Sequence, residues 1–406
     1  MSKHRLGLCL ASAISLLACD FAAAQDKKYD PGASDTEIRI GNTAPYSGPA
    51  SSLSVMFKVV DAYFRKLNDE GGINGRKLKF ISYDDAYSPP KTVEQTRKLV
   101  EGDEVLLMFG SLGSPTNAAV QKYLNAKKVP QLFIMAAATR FGNPAEYPWT
   151  MLWPLDLRSE GQIAASYLEK TMSAAKVAVI YQNDDFGRDV LSGFKQGLGE
   201  RKSAIVMETS YETTDPTIDS AIVKAKSSGA DVLFVMATPK FSAMAIRRVA
   251  ELGWKPTIMV PQNSASIGAV LSPAGLENSI GVTSWASFKD ATDPVWSGDR
   301  DLEEWSQFMT KYYPEGNRKD GGTVSGYILA QTLETVLRAA GDDVSRENIM
   351  RKAASLKDVK LGMLLPGMTL NTAPDDYFPT KQARVVRFNG TVWEPVGDLI
   401  TARSTK

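Results

Sequence analysis

Apolar and polar residues along this chain change period repeatedly, from the continuous or alternating apolar runs of strands to the three-to-four spacing of amphipathic helices. Residues 37–41 predict a short strand, and 52–68 carry Val55, Val59, Ala62, Tyr63 and Leu67 at helical spacing. Gly71 and Gly72 close that helix, because glycine takes a left-handed cap without steric penalty. A strand returns over 77–83. Ser88, Pro89 and Pro90 then open a helix with a capping hydroxyl and a proline, whose missing N–H costs nothing in a first turn. Residues 105–109 read as a buried strand feeding the loop 110–115 and another helix, and 129–135 complete the first set of strands.

The order recurs beyond Asp156. Strand 176–181, loop 182–187 and helix 188–198 are followed by strand 231–236, loop 237–240 and helix 241–252. This alternation predicts an α/β protein with two doubly wound parallel sheets, each covered on both faces. Segment 149–154 falls between the two sets and reads as a crossing. Ligands of such sheets sit beyond the carboxyl ends of the strands, which makes the named loops the candidate site.

Composition narrows the chemistry. Both cysteines, Cys9 and Cys19, and the single histidine, His4, lie in the first 24 residues. Those residues have the form of an export signal: basic Lys3 to Arg5, an apolar run over 6–18, and small residues Ala22 to Ala24 before Gln25. Leu16, Leu17, Ala18 and Cys19 also resemble a lipoprotein box, which would lipidate Cys19 at an inner membrane. Leu17 departs from that pattern, and the Ala-x-Ala site downstream favours cleavage after Ala24 and a periplasmic protein. A body without imidazole or thiol excludes Ser/His/Asp and Cys/His nucleophile systems, His/Cys zinc sites and disulfides. Removing Lys3, Arg5 and Asp20 from 47 basic and 46 acidic residues leaves 45 of each, no footprint for nucleic acid. About 380 mature residues exceed the size to which one core grows, so two lobes are expected. Beyond the leader no apolar run reaches the length of a spanning helix, and 25–34 read as a flexible arm.

The landmarks match a known family. Pro45-Tyr46-Ser47-Gly48-Pro49, Glu70 to Arg76, Tyr83-Asp84-Asp85, Gly110 to Ser114, Ala136-Ala137-Ala138-Thr139 and Asp185-Phe186-Gly187 occur in the order found in periplasmic solute-binding proteins of ABC importers. The chain resembles the branched-chain amino acid (Leu/Ile/Val) receptor type. Residues 181–187, 251–256 and 364–367 are similar to a subgroup that includes importers of aromatic acids. The resemblance implies a type I fold whose two lobes, joined by three hinge crossings, close over a ligand. The leader is 1–24, the arm 25–34, lobe one 35–156 plus 287–384, and lobe two 157–286 plus 385–402. It further implies a monomeric, non-enzymatic receptor without a cofactor or metal, delivering its ligand to a membrane permease driven by cytoplasmic ATPases.

Carried over position by position, Ser114 matches the carboxylate-binding serine, and Ala137 and Thr139 complete the carboxylate and amino contacts. Ser114 opens a helix, where free N–H groups and the dipole attract an anion; the plainer reading makes it a cap before Pro115. Asp156 matches an acid near the ligand's amino group, or else caps the following helix. The lobe-two acid that grips an ammonium is replaced by Gln262, and two tyrosines by Phe186 and Thr238. An amide supplies no charge, and charge-assisted bonds are roughly twice as strong as neutral ones. Phe186, Tyr327, Trp153 and Tyr46 would present aromatic walls, and Leu53 stands where relatives place an aromatic residue, leaving depth for a longer ligand. The preferred ligand is an aromatic or phenylpropanoid acid, with a branched-chain or other apolar amino acid second. A sensing module of the same fold, or an exported enzyme using carboxylates or tyrosine, are readings of other classes. Asp84-Asp85 and Asp184-Asp185 read as loop and cap residues, and no Gly-x-Gly-x-x-Gly or Walker sequence supports a nucleotide.

Overall fold

The structure is a computed structural model describing residues 27–401. The leader, with both of its processing readings, lies outside the described residues. Lobe one begins with β1 (Lys28–Tyr29) and β2 (Glu37–Ala44). It continues through α1 (Val55–Asp69), β3 (Lys77–Asp84), α2 (Pro89–Arg97), β4 (Leu107–Phe109), α3 (Ser114–Ala126), β5 (Gln131–Ile134) and β6 (Thr150–Leu152). The chain then enters lobe two as α4 (Leu157–Thr171), β7 (Val177–Gln182), α5 (Asp185–Leu198), β8 (Ile205–Tyr211), α6 (Asp219–Ser227) and β9 (Val232–Met236). There it goes on through α7 (Pro239–Glu251), β10 (Thr257–Met259), α8 (Ser272–Ala274) and β11 (Thr283–Ala286). It returns to lobe one as α9 (Arg300–Tyr312), α10 (Gly321–Ala340), β12 (Asp343–Val344) and α11 (Arg346–Ala353), and crosses last into the hairpin β13 (Gln382–Phe388) and β14 (Trp393–Thr401).

The five strands of lobe one run parallel in the order β3-β2-β4-β5-β6. Lobe two has the order β14-β13-β11-β10-β9-β7-β8, parallel from β11 to β8, with the antiparallel hairpin added to one edge. Two doubly wound sheets are thus present, as the alternating pattern predicts, and three crossings join them, as the resemblance implies. Short β1 and β12 pair separately, so the segment expected as a flexible arm is instead tied to lobe one by backbone pairing.

Element ends follow local chemistry. Gly71 and Gly72 past α1 have φ of 104° and 83°, the conformation their caps require. Helix α5 starts three residues before the expected 188, because the Asp184 carboxylate accepts the N–H groups of Phe186 at 2.9 Å and Gly187 at 3.3 Å. Helix α7 likewise starts at Pro239, a first-turn proline behind Thr238. Strand pairing in the run 105–109 begins only at Leu107, since the turn before it ends with the Val105 N–H on Leu99 O.

Helices α4 and α5 pack backbone to backbone. A β-carbon on Gly161 would lie 2.2 Å from Val190 O, and one on Gly193 2.1 Å from Arg158 O. One buried cluster runs through the first crossing, from Ile134 and Ala136–Ala138 to Leu155, Phe186 and Val190. Packing of this density makes the start of α4 a rigid reference for the cleft.

Candidate ligand-binding site

The carboxyl ends of both sheets face a shared cleft, and a cavity of about 260 Å³ lies in it against the three crossings. Leu53 and Met56 line it from lobe one, Trp153 from the first crossing, and Pro239 and Gln262 from lobe two. Trp285 and Phe288 bring the second crossing to it, and Thr380 and Arg384 the third. Apolar rings and chains make most of this wall, which favours a flat or aliphatic body over a sugar or nucleotide.

The lobes touch on both rims of the cleft, so the conformation is closed. On one rim the Thr139 N–H donates to Asp189 Oδ2 at 2.7 Å, Arg140 pairs with Asp185 at 3.3 Å, and Gln182 Nε2 donates to the Tyr87 hydroxyl at 3.4 Å. On the other, Ser266 Oγ donates to Asp320 Oδ1 at 2.9 Å and the Gly268 N–H to Lys319 O at 3.1 Å. A β-carbon at Gly268 would meet Asn317 Nδ2 at 2.8 Å, so the second rim closes on a bare glycine.

Of the residues selected from sequence, Leu53, Trp153 and Gln262 line this cavity. The Trp153 indole N–H donates to Thr332 Oγ1 at 3.0 Å, which fixes its ring. Gln262 Oε1 accepts from Ser287 Oγ at 3.1 Å, leaving its amide N–H groups for other partners. Ser114, Ala137, Thr139, Asp156, Phe186, Thr238, Tyr327 and Tyr46 line no part of it. Ser114 is buried at the start of α3, behind Gly113, where a β-carbon would come within 2.5 Å of the Tyr87 ring. Ala137 O accepts the Leu157 N–H at 2.9 Å, tying the loop after β5 to α4. Thr139 spends its N–H on Asp189, while its hydroxyl is buried without a partner, as is that of Thr238. The Thr238 N–H donates to the Tyr211 hydroxyl at 3.2 Å.

Asp156 is the N-cap of α4. Its carboxyl accepts the Ser159 N–H at 3.0 Å and the Ser159 hydroxyl at 2.5 Å, and burial raises its pKa above the usual carboxylate range. Phe186 packs into the cluster that crosses between the lobes. The Tyr327 ring packs at 5.2 Å from Tyr63 and 5.0 Å from Phe308 in the core of lobe one. Burial there, with Glu304 and Glu334 nearby, pushes its hydroxyl up to about 12. The Tyr46 hydroxyl shares a hydrogen bond with Ser82 at 2.7 Å. The acid pairs serve turns: Asp84 accepts the Ala86 N–H and Asp85 the Tyr87 N–H, both at 2.9 Å, bracing two consecutive residues with φ of 52° and 59°.

Sequence reasoning passed over Glu160, Thr380 and Arg384. Glu160 lines the cavity from α4 and accepts from the Trp285 indole N–H at 2.8 Å and from the Gln262 backbone N–H. Its burial pushes its carboxyl up to about 8. The available signal was an acid on an otherwise apolar stripe, four residues before Ala164 and eight before Leu168. Among the described residues no cluster of three or more His, Cys, Asp or Glu could hold a metal, and no helix is long and apolar enough to cross a membrane.

A family model described as periplasmic binding protein matches residues 37–391. The chain is 24% identical over 381 residues to Leu/Ile/Val-binding protein homolog 7 of Brucella suis biovar 1, covering 90% of this chain and 89% of that protein. Its structure is similar to that of a branched-chain amino acid ABC transporter protein from Thermus thermophilus with bound valine, with a TM-score of 0.80 and 14% identity over 91% of this chain and 98% of that one. It is also similar to an ABC transporter solute-binding protein from R. palustris in complex with benzoate, with a TM-score of 0.75 and 18% identity over 90% and 97% of the two chains.

Proposed function

Since the chain belongs to the periplasmic binding protein family, whose members bind and release solutes for transporters without turnover, we propose that it captures a small carboxylate with an aromatic body and passes it to a membrane permease. Export by cleavage after Ala24 is part of the same reading. The observation that carries it is the cavity wall: Trp153, Trp285 and Phe288 line it together with an amide, Gln262, at the position where the resemblance implies an acid in amino acid receptors. Ligand contact with both lobes at once favours the closed state and shifts the population toward it.

An apolar amino acid is the second reading, and Glu160 favours it by bringing a carboxyl to the cavity beside Gln262. Holding an ammonium requires that carboxyl ionised, against its burial and with its acceptors already engaged by Trp285 and Gln262. The aromatic acid therefore leads.

Thermal unfolding of the mature protein against benzoate, 3-phenylpropionate, hexanoate, leucine and valine tests this. A ligand at a hundred times its Kd adds about 2.7 kcal/mol, or about 5 °C at roughly 2 °C per kcal/mol for a chain of this size. A rise with the aromatic acids alone supports the reading. A rise with leucine or valine alone replaces it with the second, and silence across the panel overturns both.

A further inference from the structure

We infer that Arg384, together with Thr380, is the anchor for the ligand's carboxylate, at the third crossing and away from the loop before α3; this rests on the proposed carboxylate ligand. Arg384 stands near the start of β13, opposite Ala286 of β11 in the antiparallel register, and both residues line the cavity. Among the described residues Arg384 forms no ion pair, and its Nε is inaccessible and without a hydrogen-bond partner. Thr380, four residues earlier on the same crossing, is 3% exposed, and its hydroxyl is likewise buried and unpartnered. Arg384 as a whole is partly exposed, but its sequestered Nε–H has no acceptor, and an unsatisfied buried donor is costly.

Other cations on the cavity wall are engaged or solvated. Lys289 is held by Asp299 at 2.8 Å and Asp301 at 3.1 Å, Arg318 donates to Ser306 and Thr310, and Lys319 is exposed. Asp290 also lines the cavity, but no ion pair joins it to Arg384. The guanidinium fork suits a planar carboxylate, and the Thr380 hydroxyl offers a further donor from the same cavity wall. The expected anchor near α3 is encumbered in the closed state: the Tyr87 ring abuts Gly113, and Asp189 takes the Thr139 N–H.

Isothermal titration of benzoate, 3-phenylpropionate and benzamide into wild type, Arg384→Gln, Thr380→Val and Ser114→Ala tests the anchor. Loss of a charge-assisted bond should weaken both carboxylates by about tenfold or more in Arg384→Gln, and loss of the hydroxyl by about threefold or more in Thr380→Val. Ser114→Ala should stay within about twofold, and benzamide should bind wild type and Arg384→Gln alike. Carboxylate affinities within about twofold of wild type in both crossing variants would overturn the anchor while leaving the aromatic-acid reading in place. If wild type binds neither carboxylate, the reading fails and the anchor with it. Should Arg384→Gln not fold, Thr380→Val decides by its own threshold.

Discussion

The Trp285 indole N–H donates to the Glu160 carboxyl across 2.8 Å, joining the last parallel strand of lobe two to the helix that follows the first crossing. Burial raises the Glu160 pKa from 4.5 to about 8. The folded protein therefore holds a proton that the unfolded chain releases. Its contribution is complete at low pH and is lost as pH rises from the ordinary carboxyl value through about 8, at about 1.4 kcal/mol per unit. Glu160→Gln should flatten this dependence. Chemical denaturation at pH 5 and pH 8 checks it: the fall in unfolding free energy between the two should shrink by about 2 kcal/mol or more in the variant.

Asp156→Ala removes a helix cap. Its carboxyl accepts the Ser159 N–H and hydroxyl as a cap does, so the expected loss is about 1 kcal/mol of stability, roughly 2 °C in the unliganded midpoint. Affinity for aromatic acids and for amino acids should change by the same factor. A selective loss of amino acid binding would show instead that Asp156 reaches an ammonium.

Gly268→Val puts a side chain where Asn317 and the Asp320 backbone approach in the closed state. The variant should keep the unliganded midpoint of wild type yet bind its ligand about tenfold or more weakly, because closure and binding are coupled. Small-angle scattering with saturating ligand should show a larger radius of gyration than liganded wild type.

Gly193→Ala forces a methyl group to within 2.1 Å of Arg158 O, a backbone atom that cannot rotate away. Overpacking should cost about 3 kcal/mol, or roughly 6 °C in midpoint by thermal unfolding. Ligand preference should not change.

The alternation of strands and helices was legible because each element has its own hydrophobic period and its own caps. Glu37–Ala44, Val55–Asp69 and Lys77–Asp84 lie where the pattern puts them, and Asp184 and Pro239 explain the two helices that start early. The cleft was less legible. Tyr327 lies on α10, a helix buried nearly all round, and periodicity does not tell a face turned to the core from one turned to a ligand. Thr380 and Arg384 follow in sequence a long stretch of lobe one, and the third crossing, with Arg384 paired opposite Ala286, brings them into the cavity wall that Gln262 and Trp153 also line. Gln262 could be singled out because a charge is missing there. Glu160 left only the fainter signal of an acid on an apolar stripe, and an acid on a helix usually faces water.

Strand β11 gains its outer neighbour only when β13 has been made, about a hundred residues later. Until then the sheet of lobe two ends at β11 in an open row of N–H and C=O groups, a template for pairing between chains. A chain truncated before residue 382 would keep that edge permanently. It should precipitate during refolding rather than yield a smaller receptor, and productive folding waits on the last twenty or so residues to emerge.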